Sequence, residues 1–130
     1  SVNNGSSWIS AGNYHTQGFS AVNGGITHPF NSEGAGYGPI AGLGNQGAAS
    51  NEAGAMVIWI FDPLNPTSRK YQMAQCVNYK YDGEICYSGV GGSYESSDAV
   101  NAVKFYPAAG AFDNYNDNYN HVSVYGYRWR

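Results

Sequence analysis

The chain has 130 residues, enough for one domain with its own core and no help from metals or disulfides. Nine acidic against six basic residues leave a formal charge of −3, which excludes the clustered Lys and Arg of a nucleic-acid interface. Eighteen glycines, twelve tyrosines and only two leucines argue against helices and for an all-β fold. The longest apolar run, residues 53–61, has the length of a strand and falls well short of a membrane-spanning helix. Ser1 follows neither an initiating Met nor a signal sequence, so the chain is expected to be a processed product or a piece of a longer one.

Taken in order, the polar lead-in ends on the turn pair Asn4-Gly5. Residues 7–20 carry Trp8, Ile9, Tyr14 and Phe19 among small polar residues, which predicts one or two irregular strands. Residues 21–51 are so rich in glycine, with prolines at 29 and 39, that they read as a long loop anchored by Ile40 and Leu43. Residues 53–61 (AGAMVIWIF) are apolar at every second position on both faces. That pattern predicts a central strand covered on both sides, with Trp59 buried and Trp59→Ala costing about 3–5 kcal/mol. Asp62-Pro63-Leu64-Asn65-Pro66 stops it. Residues 69–79 resume as a strand, Asp82-Gly83 supplies a turn, and residues 85–94 return antiparallel. Two further period-two runs, 100–106 and 121–127, predict half-buried strands on either side of a polar excursion over 107–120. The sum is a single antiparallel β-sandwich domain over 1–130, jelly-roll-like, with long Gly/Asn-rich loops.

The residues that could carry chemistry are few and scattered. His15, His28 and His121 lack metal-ligand spacing and read as surface histidines beside turns. The acids are spread thinly, mostly through turns, and the nucleophile-elbow, phosphate-loop and zinc-protease motifs are absent from the sequence. The expectation is no enzyme, no cofactor and no metal. Cys76 and Cys86 lie on the two arms of the hairpin around Asp82-Gly83. With a two-residue loop Tyr79 would face Cys86, so a disulfide needs a longer loop or a bulge; free buried thiols are the favoured alternative. The stretch Asp113 to Asn120 has the oxygen ligands of a calcium loop but not the spacing. Tyr115 and Tyr119, with Asn116, Asp117 and Asn118 beside them, offer flat rings next to amide and carboxylate groups. Such a mixture suits a recognition surface, for a glycan above all; packing on the sheet edge is the alternative.

Four segments in order carry a resemblance: GLGN at 42–45, AGAMVIWIFDPLNPTSRK at 53–70, SGVGGSYESSDAVNAVKFYPAAGAF at 88–112 and HVSVYGY at 121–127. Together they resemble glycine-rich β-sandwich modules of tailed-bacteriophage virions, found on tail fibres and other appendages. The resemblance covers nearly the whole chain. It implies a virion structural protein, a place on the particle surface, homotrimeric assembly and contact with other virion proteins. Two departures stand out. Such modules carry one or two strands before the equivalent of Asn4-Gly5, so N-terminal strands are expected to be missing here. The insertion from Asp113 to Asn120 is longer than their usual link, which marks it as the expected place of target binding.

The function expected is therefore non-enzymatic: the C-terminal module of a tail fibre or appendage, used for attachment to a host-surface glycan or protein, with neither nucleic acid nor membrane insertion involved. A capsid decoration protein without a receptor is one alternative; a secreted carbohydrate-binding module or lectin is another.

Overall fold

A computed structural model describes Gly5 and residues 14–22, 25–35, 54–79, 83–105 and 123–126, with backbone only over most of 25–35. Five strands form one sheet: β1 (Tyr14–Val22), β2 (Gly25–Ala35), β3 (Gly54–Phe61), β4 (Lys70–Tyr79) and β5 (Ile85–Tyr94). Their order is β2-β1-β5-β4-β3, and every neighbouring pair is antiparallel. The described part is all-β.

Strands β4 and β5 form where the sequence predicts a hairpin. Their register pairs Tyr79 with Ile85, so the connection spans residues 80–84 and not two residues. Gly83 takes φ 85°, a left-handed value that only glycine adopts without strain. Between β3 and β4 the chain turns at Asp62, whose φ is 45°. Asn65 secures that turn: its backbone N–H donates to the Asp62 carbonyl at 3.2 Å and its side-chain amide to Asp62 Oδ2 at 2.7 Å. Lys70 is only 4% exposed, because its ammonium donates to the carbonyls of Asn65, Ser68 and Ser97. A buried charge so held is satisfied by dipoles in place of water. It ties the loop after β3 to the chain leaving β5.

Side chains alternate across the sheet, and the two faces differ sharply. The buried positions of β1, β4 and β5 are all even-numbered, and beside Lys70 they are mostly small or polar: Thr16, Ser20, Ala74, Cys76, Asn78, Cys86, Ser88 and Val90, with Tyr94 at one end. Ser20 and Ser88 hydroxyls meet at 3.2 Å there. Odd-numbered positions carry most of the large apolar side chains, and these stand open. Phe19, Val57, Trp59, Phe61, Tyr71, Met73, Val77, Ile85 and Tyr87 are each between 36 and 57% exposed. At roughly 150–200 Å² per side chain this is on the order of 700 Å² of apolar surface, more than the largest patch of an ordinary monomer.

Several expectations are corrected. Residues 54–61 do form a strand, but β3 lies at the sheet's edge, and Trp59 is 36% exposed instead of buried. Truncating it should cost less than the figure for full burial. The reading of 21–51 as loop fails over 25–35, where the chain pairs with β1 despite its glycines and Pro29. Residues 100–105 and 123–126 are irregular chain, not strands; Val100 donates its N–H to the Pro63 carbonyl at 2.7 Å instead of joining a ladder. Residues 106, 121, 122 and 127 of those two runs lie outside the described residues.

Two glycines of β5 test the packing directly. A Cβ on Gly92 would sit 2.7 Å from Thr16 Cγ2 and 2.9 Å from the His15 carbonyl, whereas one on Gly91 would meet nothing within 4 Å. Gly92→Ala should destabilise by about 1–3 kcal/mol through overpacking, and Gly91→Ala should be close to neutral. Urea denaturation of both variants checks the contrast.

Candidate functional site

One corner of the open face is concave. Register places His15, Ser93 and Tyr71 in one row across β1, β5 and β4, and Gln17, Gly91 and Met73 in the next. Because position 91 is glycine, the middle strand puts no side chain into the second row. The result is a trough of about 350 Å³ lined by His15, Thr16, Gln17, Tyr71, Gly91, Gly92 and Ser93. Its floor is the backbone of β5. A ring, an imidazole, an amide and a hydroxyl stand around it, none of them a permanent charge.

Charge lies only at the trough's end. His15 Nε2 is 3.3 Å from Glu95 Oε1, beside the carboxylate but without hydrogen-bond alignment, and Arg69 Nη1 reaches the same oxygen at 3.7 Å. These groups are partly exposed, so the pairings orient side chains more than they stabilise the fold. The strand positions of the open face on β1, β3, β4 and β5 contain no Asp, Glu, Lys or Arg. What the corner can do is hold a neutral molecule that has one flat apolar side and hydrogen-bonding groups around it. In that role Tyr71 supplies the ring and Gln17, Ser93 and His15 the polar contacts.

The trough did not emerge from the sequence, because residues 15–17, 71 and 91–93 meet only through strand pairing. The one signal was Gly91-Gly92 inside an otherwise regular strand, which marks a close backbone approach. His15 itself sits within β1, not beside a turn as expected. The recognition residues expected from the sequence, Tyr115, Asn116, Asp117, Asn118 and Tyr119, lie outside the described residues, as do the side chains of His28 and His121.

Cys76 and Cys86 are free and buried on the even face. Cys76 pairs with Ser88 and Cys86 with Asn78, so the two cysteines are diagonal neighbours across β4 and β5. Burial, and then the neighbouring Cys86, push the Cys76 thiol above its ordinary value. The Cys86 sulfur lies 3.8 Å from the Ser88 hydroxyl. A thiol with a raised pKa carries less thiolate at neutral pH and reacts slowly. Among the described residues no three His, Cys, Asp or Glu side chains converge as a metal site would require.

No protein-family model matches the chain, and no curated protein and no solved structure matches it either.

The thiol environment gives a direct expectation. Iodoacetamide should label neither cysteine appreciably in the folded protein at neutral pH, and both after denaturation. Mass spectrometry of native and unfolded samples reads this, and rapid native labelling of Cys76 would contradict the burial of the even face.

Proposed function

We propose that the chain is a non-enzymatic attachment module of a tailed-phage virion, the C-terminal domain of a tail fibre or similar appendage, which binds a glycan or protein on the host surface. The virion setting rests on the resemblance of the four ordered segments. The attachment role rests on one observation: an uncharged, aromatic sheet face with a glycine-floored trough at its corner. Such a face binds through contact area and ring stacking, as glycan and protein recognition do, and not through charge. In the same reading the sheet is one layer of a β-sandwich whose core side is the even face. Burial of the even positions on β1, β4 and β5 supports a second layer there, which leaves the aromatic face for partners. A decoration protein without a receptor would leave the polar groups of the trough without a role.

Binding of the fluorescently labelled chain to intact bacteria tests the reading. Tyr71 is 53% exposed, so Tyr71→Ala should leave the melting temperature nearly unchanged. It should weaken cell binding by about 1 kcal/mol, roughly fivefold, and Gln17→Ala should act in the same direction. The double variant Tyr115→Ala, Tyr119→Ala measures the loop's share separately. If the unaltered chain binds no cells across a broad panel, the attachment role is wrong.

A further inference from the structure

The sheet has two edges, and they are built differently. The β2 edge contains Pro29 within the strand, carries Glu33, and pairs with β1 through two register shifts, between Tyr14 and Thr16 and between Ser20 and Ala21. Proline, charge and irregular register are the devices by which proteins keep a sheet edge from recruiting another strand. The β3 edge has none of them. Gly54–Phe61 contains no proline and no charged residue, and its register with β4 runs unbroken from Gly54 opposite Asn78 to Phe61 opposite Tyr71. Among the described residues β3 pairs with β4 alone. Its apolar side chains stand open on both faces, Met56 on the even side and Val57, Trp59 and Phe61 on the odd. A regular, uncharged, apolar edge is a template for another strand.

We propose that the edge of β3 that no described strand covers pairs with β3 of a second copy of this chain, antiparallel across a two-fold axis, so that two sheets become one. The strand fits its own reverse. With Val57 at the axis, Trp59 of one copy stands opposite Ala55 of the other, large against small on the same face. With Ile58 at the axis, Ile60 stands opposite Met56. Neither register brings two charges together, so the repulsion between two chains of net charge −3 is not concentrated at the contact. A two-fold axis normal to the sheet keeps odd positions on one side, so the aromatic face would run on from one copy to the next. This contact goes beyond the attachment reading and is independent of it. It also predicts a two-fold assembly, where the resemblance implies a three-fold one.

Light scattering on the full chain, from the low micromolar to the submillimolar range, reads the mass. The expected result is a concentration-dependent shift from 13.9 kDa to twice that value. Val57→Lys and Trp59→Lys, each placing a charge on the edge, should hold the mass at the monomer. Val124→Lys, at a position 89% exposed and outside the sheet, should leave the dimer intact. Amide exchange of the unaltered chain is the second reading, needed should either β3 variant fail to fold. Protection of β3 amides should rise with concentration while that of β4 and β5 stays constant. A monomer at every concentration, a trimeric mass, a dimer that survives both β3 substitutions, or β3 protection that does not depend on concentration would each overturn the proposal.

Discussion

The sheet depends on a strand with glycine at three of its ten positions. β5 lies between β1 and β4, and both neighbours close over its glycines. A Cβ on Gly89 would come within 2.8 Å of the Phe19 ring, and one on Gly92 within 2.7 Å of Thr16. Glycine inside a strand costs backbone entropy and offers nothing to pack. Here that loss is offset because the absence of a side chain lets a ring from β1 pack against the strand at Gly89. The same absence, one pair further along at Gly91, leaves the trough open. One compositional feature therefore produces both the packing of Phe19 and the concavity beside Tyr71.

The division of the two faces follows from strand alternation. Small and hydroxyl-bearing residues fill the even positions of the three middle strands, and they pack closely because they are small. Some buried polar groups on that face find partners among themselves, as Ser20 and Ser88 do, or from the backbone, as Lys70 does, whereas Thr16 Oγ1, Gln72 Nε2 and Asn78 Nδ2 have none among the described residues. The large apolar side chains fall on the odd face. In a protein that works alone that distribution would be a liability; in one that works by contact it is the working surface.

Local signals made part of this legible in the sequence. The β4–β5 hairpin could be read because its arms are adjacent in the chain and Asp82-Gly83 marks the reversal, although its loop length could not. β3 was recognisable as a strand from its apolar run, but not as an edge. A strand apolar on both faces is the pattern of a central position, and only pairing shows that β4 is its single neighbour among the described residues. β2 was hidden because glycine and Pro29 speak locally for loop, although it follows β1 after only residues 23 and 24 and pairs back on it with Val22 opposite Gly25, so pairing overrides local propensity. The runs at 100–106 and 121–127 show the converse. Period-two patterning permits a strand, but residues 100–105 and 123–126 have no ladder. The trough was not legible at all, since its walls come from three segments that only the register of β1, β5 and β4 brings together.

The account turns on which face of β1 carries its aromatic ring, because a slip of one residue would exchange the open face for the buried one. Nuclear Overhauser contacts of the Phe19 ring decide this. The structure predicts strong contacts from the ring protons to Gly89 Hα and to the Tyr87 ring, whose centroid lies 6.0 Å away, with Gly89 Hα shifted upfield by the ring current. Contacts from Phe19 to Val90 or Cys86 instead, with an unshifted Gly89, would place the ring on the even face and contradict the exposed aromatic surface and the trough together.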